Sequence, residues 1–365
     1  MRIGFVAEPY EERNASGMGY VVLELMRNLP LQGQKHEFVY YSSRPIDRTL
    51  VPNVQFENAL IPKGFLKQWW WFFRYKGDAE ALVYMVPLLP LVIPRRVKAV
   101  PMCQELGSQK TNPGRGKSAL IAFVRDRLLM PVSLRRAAHI IAASQATRDD
   151  IIEYYGVREQ KITVVPDGFQ DLKRFAATAP EAPQGAKPFF FFAGKVKHRK
   201  NVHGIVSGFI LFKKRTNAEV ELVIAGDYGG GYYDSLVADI ERSGLTREVR
   251  FVGYVNNEEL YAYYKKALAC VYPSFNEGFG MPILEAMSLG TPVITSNQSS
   301  MPEVGGDAAI LIDPHSPEAI SVGMERLYID RALREQCIER GFVQAARFSW
   351  TRSAREYLDV LELLQ

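Results

Sequence analysis

Two glutamates, Glu277 and Glu285, lie eight residues apart in a segment that also contains Gly278, Gly280 and Pro282. Because proline is favoured at the first helical position, Pro282 predicts a helix start, with Glu277 in the loop before it and Glu285 in the first turn. The free N–H groups of a helix start can bind phosphate, and the glycines let a ligand approach the backbone. The carboxylates can accept hydrogen bonds from hydroxyls on either side, as in a sugar joined by diphosphate to a ribose. An ordinary acidic helix start has the same spacing, so other parts of the chain must decide.

A basic turn, residues 194–201, follows a predicted strand over residues 188–193. Its Arg199 and Lys200 come just before a predicted helix, where a cation is unfavourable for the helix dipole. Their position makes sense if an anion lies between them and the helix. A diphosphate held by both would form charge-assisted hydrogen bonds, and the same contacts would stabilise negative charge on a departing diphosphate. Exposed basic residues without a ligand are the alternative.

A third candidate anion site is a loop containing Gly17 and Gly19, between a strand that ends near Ala7 and a helix from Tyr20. Loops of this kind bind phosphates in open α/β sheets. Val22 occupies the third position of the dinucleotide fingerprint Gly-x-Gly-x-x-Gly, which favours a sugar nucleotide over a nicotinamide cofactor. A tight turn that needs glycine is the alternative.

Strands and helices alternate along the chain, which predicts α/β domains with parallel sheets. The length of 365 residues suits two such domains. We predict a first domain over 1–170, an alanine- and proline-rich linker over 171–188, a second domain over 189–348 and a final amphipathic helix over 349–365. Two such domains normally bind a ligand in the cleft between the carboxyl ends of their strands, where the three candidate anion sites would converge.

The composition, with 47% hydrophobic and 23% charged residues, is that of a globular protein, and no apolar run is long enough to span a bilayer. The N-terminal residues resemble a buried strand and lack the pattern of a signal peptide, so we expect a cytoplasmic protein. The three cysteines are far apart, and neither Asp-x-Asp nor a His or Cys pair with metal-ligand spacing occurs. We therefore expect no metal and no cofactor. The usual hydrolase, kinase and redox signatures are also missing.

Basic residues are concentrated in the first half, because residues 1–170 contain 23 Lys or Arg against 16 Asp or Glu. This excess favours an anionic partner. The acidic second half and the lack of a recognised motif argue against nucleic acid. A tryptophan cluster with basic neighbours is typical of membrane interfaces, although packing within the domain is equally compatible. The residues assigned to membrane or acceptor contact are Trp69, Trp70, Trp71, Arg74 and Lys76. A basic stretch over 95–136 can face anionic lipid, an acceptor phosphate or solvent.

Taken together, these segments resemble the retaining glycosyltransferases of family 4, which have the two-domain GT-B fold. The resemblance rests on residues 277–293, 194–201, 164–168 and 302–309. It implies that Glu277 contacts the donor sugar, Glu285 the ribose, and Arg199 and Lys200 the diphosphate, and that the final helix crosses back to the first domain. The catalytic candidates are Glu277, Arg199, Lys200 and Gln104. The donor-binding candidates are Gly17, Gly19, Gly194, Lys195, Arg199, Lys200, Phe279, Gly280, Met281 and Glu285.

Two positions depart from the family pattern. Many members have a His-Asp pair where this chain has Gln104 and Glu105, and Gln104 cannot become cationic. The family commonly has Asn at the position of Asp167.

The resemblance implies a metal-independent, retaining transfer of a hexose from a nucleotide-diphosphate sugar to a saccharide or lipid-linked saccharide, in the synthesis of cell-surface polysaccharide or lipopolysaccharide. The Arg-Lys-Asn of the basic turn resembles mannosyltransferases, which favours GDP-mannose over a UDP-sugar. The basic first half and the tryptophan cluster favour an acceptor at the inner face of the cytoplasmic membrane. A sugar-nucleotide epimerase with the same fold, or a non-catalytic sugar-nucleotide-binding protein, remains an alternative.

Overall fold

The computed structural model describes residues 1–6, 17–62, 67, 78–85, 87–89, 96–104, 106, 123–180 and 187–364. The chain forms two compact units: unit 1 is Met1–Gly168 with Ser349–Gln365, and unit 2 is Phe169–Phe348. The predicted membrane or acceptor residues Trp69, Trp70, Trp71, Arg74 and Lys76 lie outside the described residues.

Unit 1 is built on a sheet whose strands, within the described residues, are all parallel and largely buried. They are β1 (Arg2–Val6), β2 (Glu37–Ser42), β3 (Glu57–Leu60), β4 (Ala81–Tyr84), β5 (Lys98–Cys103), β6 (Ile140–Ala142) and β7 (Ile162–Val164). Their order in the sheet is β3-β2-β1-β4-β5-β6-β7. The described helices between these strands are α1 (Gly17–Gln32), α2 (Met130–Arg136) and α3 (Gln145–Tyr155). Because all strands run the same way, the residues that follow β5, β6 and β7 lie at one edge of the sheet.

Gly17 and Gly19 lie in the first turn of α1, not in a loop as predicted from the sequence. The prediction started the helix at Tyr20 because glycine disfavours helix interiors by about 1 kcal/mol. Packing overrides this preference here, since Gly19 and the following Val21 and Val22 are buried.

Unit 2 contains a second parallel sheet. Its described strands are β8 (Phe189–Ala193), β9 (Glu221–Ala225), β10 (Val249–Gly253), β11 (Ala269–Tyr272), β12 (Val293–Ser296) and β13 (Ala309–Ile312). Their order is β10-β9-β8-β11-β12-β13. The strand order therefore reverses between β8 and β11, and the loops that follow these two strands are neighbours. Such a reversal is where open α/β sheets bind ligands.

The helices of unit 2 cover this sheet and share its apolar core. Those described are α4 (Val202–Thr216), α5 (Gly230–Ser243), α6 (Asn257–Lys266), α7 (Met281–Ser288), α8 (Met301–Gly305), α9 (Pro317–Ile329) and α10 (Arg331–Ala345). A short 3-10 helix, Leu172–Phe175, begins the segment predicted as a linker, and Leu172 is buried in the core of unit 2. The packed core of unit 2 therefore already includes the start of that segment.

The helix that carries Glu285 starts one residue earlier than predicted. Met281 is its first residue and Pro282 its second, so Glu285 is the fifth residue and lies beyond the first turn. Proline is accepted at either position, because the N–H groups of the first turn have no partner within the helix.

The C-terminal helix α11 (Trp350–Glu362) packs in unit 1. The Leu358 side chain lies against Gly33 just after α1, and His36 Nε2 lies 3.0 Å from Glu362 Oε1. At the other end of the helix, Ser353 Oγ donates to the carbonyl of Pro166 at 2.6 Å. Unit 1 is therefore completed by residues from both ends of the chain.

Candidate functional site

The loop after β8 and the loop after β11 meet at the reversal of the strand order in unit 2. The backbone N–H of Phe275 donates to the carbonyl of Arg199 at 3.0 Å. The basic turn and the glutamate loop, predicted separately from the sequence, are thereby brought into direct contact.

Glu277 is the centre of this contact. Its Oε1 accepts a hydrogen bond from Lys200 Nζ at 2.6 Å and one from Tyr272 Oη at 3.2 Å, and its Oε2 accepts from Arg199 Nη1 at 3.1 Å. Lys200 Nζ also lies 2.5 Å from Tyr272 Oη and 5.0 Å from the centre of the Tyr272 ring. Glu277 is only 8% exposed. One buried carboxylate therefore orients both cations of the turn.

The cluster of Glu277, Arg199 and Lys200 carries two positive charges against one negative charge. Its net charge favours a second anion, and the Arg199 and Lys200 side chains keep 30% and 16% of their surface exposed. Arg199 Nη1 also donates to the carbonyl of Asn276 at 3.0 Å, which fixes the guanidinium against the loop. The cluster can therefore receive a phosphate without large rearrangement of the backbone.

Asn201 holds the basic turn in place. It adopts a left-handed conformation with φ of 55°, and its side-chain oxygen caps α4 by accepting from the N–H of Gly204 at 3.2 Å. Its Nδ2 donates to the carbonyl of Pro273 at 3.1 Å and to that of Pro314 at 2.6 Å. Asparagine is one of the few residues that tolerate this backbone conformation. One buried side chain thus ties the turn to two other loops.

Serine hydroxyls hold the loop that carries Glu277. Ser299 Oγ donates to Asn276 Oδ1 at 2.8 Å and accepts from the N–H of Glu277 at 3.2 Å. Ser300 Oγ lies 2.7 Å from the carbonyl of Phe279. The Phe279 side chain is buried against Phe348, with ring centres 5.6 Å apart, so only its backbone is available to a ligand.

The predicted glycines Gly280 and Gly194 adopt conformations that other residues rarely adopt. Gly280 has φ of 114° and precedes the first residue of α7, Met281, whose N–H has no acceptor within the helix. Gly194 has φ of 154° and follows β8, and an added Cβ at the neighbouring Gly226 would lie 2.1 Å from its carbonyl oxygen. Lys195, the next residue, is exposed. Both glycines therefore place bare backbone at the carboxyl edge of the sheet.

Glu285 is buried in α7 and has a perturbed carboxyl group. Burial raises the pKa of Glu285 to about 7, and a hydrogen bond from Tyr264 only partly opposes the increase. The Tyr264 Oη to Glu285 Oε2 distance is 3.5 Å, at the limit for a hydrogen bond. The carboxylate is therefore poorly satisfied within unit 2, and a hydroxyl donated by a ligand would stabilise its charged form.

Gln104 lies in unit 1, directly after β5. Its Nε2 donates to Asp167 Oδ1 at 3.1 Å. Gly17, in the same unit, is exposed at the start of α1, and Gly19 is buried. Within unit 2 the structure brings together Glu277, Arg199 and Lys200. Glu285 is not part of this cluster and lies on α7, the helix that follows the loop of Glu277.

Several residues of the site were not predicted from the sequence. Tyr272 is the last residue of β11, and its position directly before the glutamate loop is the signal that could have identified it. Tyr264 lies on α6, Ser299 and Ser300 follow β12, and no pattern in the sequence linked any of them to the glutamates.

In the part of the chain that the structure describes, no group of three His, Cys, Asp or Glu residues is arranged to hold a metal ion. No helix among the same residues is both long and apolar enough to cross a bilayer.

Comparison with protein families shows that each half of the chain is similar to a glycosyltransferase family model. Residues 174–344 match the family model described as "Glycosyl transferases group 1", and residues 15–171 match the one described as "Glycosyltransferase Family 4". The two matched ranges take in nearly the whole chain.

Curated relatives are similar over about three-fifths of the chain. O-antigen chain mannosyltransferase B of Escherichia coli is 33% identical over 243 residues, 64% of this chain and 62% of the relative. D-inositol 3-phosphate glycosyltransferase of Paenarthrobacter aurescens (strain TC1) is 32% identical over 227 residues, 60% of this chain and 55% of the relative. Serotype-specific mannosyltransferase WbdA of Escherichia coli is 27% identical over 227 residues, 60% of this chain and 28% of the relative. The chain thus spans less than two thirds of the length of each relative.

Solved structures share the fold over the whole chain. Sucrose-phosphate synthase from Thermosynechococcus elongatus matches with a TM-score of 0.71 and 18% identity, covering 100% of this chain and 99% of that chain. Anabaena HepE in complex with UDP-glucose gives a TM-score of 0.74 with 16% identity, and WaaG, a glycosyltransferase involved in lipopolysaccharide biosynthesis, gives 0.71 with 15%; both cover 99% of each chain. The predicted fold class, two parallel-sheet α/β domains of the GT-B type, is confirmed, and the two family-model matches support the predicted glycosyltransferase class.

Proposed function

We propose that this chain, whose two halves match glycosyltransferase family models, transfers a hexose from a nucleotide-diphosphate sugar to an acceptor hydroxyl, without a metal ion and with retention of the anomeric configuration. The observation that carries the proposal is the cluster of Glu277, Arg199 and Lys200 at the reversal of the strand order. Two cations oriented by one carboxylate are suited to a ligand in which a diphosphate adjoins a sugar.

Each group of the cluster has a role in this reaction. Arg199 and Lys200 bind the diphosphate and stabilise the charge that grows on it as the bond to the sugar breaks. The diphosphate competes with Glu277 for the cations, so the Glu277 oxygens become available to sugar hydroxyls. Glu285 accepts hydrogen bonds from the ribose. The acceptor hydroxyl attacks from the side of the leaving group, and a leaving phosphate oxygen takes its proton, which leaves a nucleoside diphosphate and the new glycoside.

The donor is GDP-mannose, with a UDP-sugar as the competing choice. Two of the relatives are named mannosyltransferases, and this supports mannose. The name of the Anabaena HepE structure includes UDP-glucose, which is why UDP-sugars belong in the test. The acceptor is a saccharide or lipid-linked saccharide of a cell-surface polysaccharide or lipopolysaccharide.

An exposed apolar surface in unit 1 supports an acceptor at the inner face of the cytoplasmic membrane. Phe123, Leu128 and Val132 are 56%, 58% and 42% exposed, on a helical segment that continues into α2. Arg127 and Arg136 are exposed on the same segment. Apolar side chains among arginines suit the headgroup region of an anionic bilayer.

The proposal is tested first by donor binding. A panel of GDP- and UDP-sugars is added to the full chain, and a bound donor raises the unfolding temperature because it binds only the folded state. GDP-mannose is expected to give the largest increase. A larger increase in unfolding temperature with a UDP-sugar would identify that sugar nucleotide as the donor and leave the proposed reaction class unchanged.

Transfer itself is tested with Glu277→Ala, compared with Glu241→Ala, an exposed glutamate on α5. We expect Glu277→Ala to abolish hexose transfer while the fold stays intact, and Glu241→Ala to retain full activity. Full activity in Glu277→Ala refutes the assignment. A new sugar nucleotide formed from donor alone would identify an epimerase, and binding without turnover would identify a non-catalytic protein.

A further inference from the structure

The half-buried Gln104 and the buried Asp167 form a pair of polar side chains at the carboxyl edge of the sheet of unit 1. Gln104 directly follows β5, and Asp167 comes three residues after the end of β7, with β6 between the two strands. This edge is where parallel sheets present residues to ligands. The pair is therefore in a position to contact a substrate, in addition to any contribution to stability.

Both hydrogens of the Gln104 amide have acceptors within unit 1. Nε2 donates to Asp167 Oδ1 at 3.1 Å and approaches Met102 Sδ at 3.8 Å. The backbone carbonyl of Gln104 accepts from Thr147 Oγ1 at 2.9 Å, which fixes the residue at its base. Within the described residues, the amide oxygen Oε1 has no such partner. In this arrangement Gln104 can offer a ligand only an acceptor.

Asp167 is buried almost completely, with 1% of its surface exposed, and its second oxygen Oδ2 has no hydrogen-bond partner in the part of the chain that the structure describes. Tyr357 of α11 interacts electrostatically with Asp167 and with Cys103 of β5. Burial raises the pKa of both Cys103 and Tyr357, so both are neutral near pH 7. Among the described residues no cation is paired with Asp167, and burial raises its pKa to about 7.

We propose that Asp167 is a positioning residue whose protonation state sets the orientation of the Gln104 amide, and so decides which atom Gln104 offers to a substrate hydroxyl. An ionised carboxylate only accepts hydrogen bonds, so it holds Nε2 and leaves Oε1 for the substrate. A protonated carboxyl group can donate through Oδ2 to Oε1, and the amide then turns and presents its NH₂ group. The inference rests on the proposed function, because it assigns Gln104 to the substrate of that reaction.

The acceptor orientation is the active one, since it is the one that the structure shows. The rate of transfer at saturating donor should therefore fall about tenfold from pH 8 to pH 6, with its midpoint near pH 7. Saturating donor is essential, because Glu285 titrates in the same range and affects donor binding. A role of Asp167 in packing alone would change stability without giving the rate this midpoint.

Three variants and one control separate these roles. Asp167→Asn, a neutral side chain of the same shape, should remove the midpoint near pH 7. Gln104→Ala should also remove it, and adding Asp167→Asn to Gln104→Ala should change the rate no further, because Asp167 acts through Gln104. The control Asp149→Asn, at an exposed site on α3, should keep the parent profile. A midpoint that survives in Asp167→Asn, or losses that multiply in the double variant, overturns the inference.

A measurement that needs no turnover distinguishes failure of the inference from failure of the proposed function. Glutamine side-chain amides are labelled with ¹⁵N in the full chain, and the Gln104 signal is identified by its loss in Gln104→Ala. Its chemical shift should change with a midpoint near pH 7 in the parent protein and stay constant in Asp167→Asn. If the chain transfers no sugar but the signal titrates, only the proposed function fails. A signal that does not titrate refutes the positioning role.

Discussion

Lowering the pH from 8 to 6 is expected to weaken GDP-mannose binding about tenfold, because the ribose needs Glu285 in its charged form. Burial raises the pKa of Glu285 to about 7, and the one long hydrogen bond from Tyr264 only partly opposes this increase. Ribose hydroxyls donate hydrogen bonds to a carboxylate but not equally to a carboxylic acid. The bound donor therefore lowers the pKa of Glu285, and binding releases a proton.

The magnitude follows from the fraction of ionised carboxyl groups. With a pKa of about 7, Glu285 is about nine-tenths ionised at pH 8 and about one-tenth ionised at pH 6. A ligand that requires the carboxylate then binds about tenfold more weakly at pH 6, equivalent to about 1.4 kcal/mol. At pH 7 each donor bound should release about half a proton.

Isothermal titration calorimetry with GDP-mannose measures both quantities, the affinity at each pH and the proton release from buffers of different ionisation enthalpy. GDP-mannose is preferred to GDP, because the terminal phosphate of free GDP itself titrates near pH 6. Histidines titrate in the same range, so Glu285→Gln is the necessary control. This variant should bind more weakly than the parent, with an affinity that is constant between pH 6 and pH 8. Equal affinities at pH 6 and pH 8 in the parent, or an unchanged pH dependence in Glu285→Gln, would refute the reasoning.

Three further outcomes are expected. Asn201→Gly should lower the free energy of unfolding by about 2–3 kcal/mol in urea denaturation, because glycine keeps the left-handed conformation but loses the three hydrogen bonds of the side chain. The control Asn217→Gly, at an exposed left-handed residue, should lower it by only a few tenths of a kcal/mol. Equal losses in the two variants would contradict the role of Asn201. Asp167→Asn should flatten the pH dependence of the free energy of unfolding. An aspartate in the unfolded chain releases its proton near pH 4, whereas folded Asp167 releases it only near pH 7. The free energy of unfolding of the parent should therefore fall by up to about 4 kcal/mol as the pH rises between these values. Parallel pH curves for the parent and the variant would contradict this prediction. Leu128→Asp should reduce co-sedimentation with anionic vesicles at low salt, whereas the control Ile329→Asp, at an exposed residue of unit 2, should not. If the parent protein itself does not bind these vesicles, the membrane proposal is refuted.

Much of the fold of unit 2 was predictable, because its strands are short apolar runs bounded by turn residues. The strand predicted over residues 188–193 is β8, Phe189–Ala193, and the helix α7 begins one residue before its predicted start. Pro282 caused the one-residue error at the helix start, since proline is compatible with both the first and the second helical position.

The pairing inside the candidate site was not predictable in the same way. From the sequence, Arg199 and Lys200 are predicted to bind an external anion. The structure shows that Glu277, more than 70 residues away in the chain, already neutralises part of their charge. Such a contact depends on which strands are neighbours, and spacing along the chain carries no such information. The same reason explains why Tyr264 and Ser299 were missed.

The contact between Gln104 and Asp167 is a second feature that could not be predicted from the sequence. Each residue departs from the pattern of the family that the sequence resembles, and nothing in the sequence connects two changes 63 positions apart. Their contact follows from the adjacency of β5, β6 and β7, which only the fold supplies. The two departures are in direct contact.

The packing of α11 in unit 1 has a consequence for the synthesis of the protein. The first 168 residues leave the ribosome without the helix that covers Gly33 and pairs with His36, because that helix follows the whole of unit 2 in the sequence. At about 5–20 residues per second, unit 1 waits roughly 10–40 s for its missing element. Unit 2, a continuous stretch from Phe169 to Phe348, is complete before then. The second unit is therefore expected to fold first, and the exposed face of α1 is the surface that a chaperone would have to protect in the meantime.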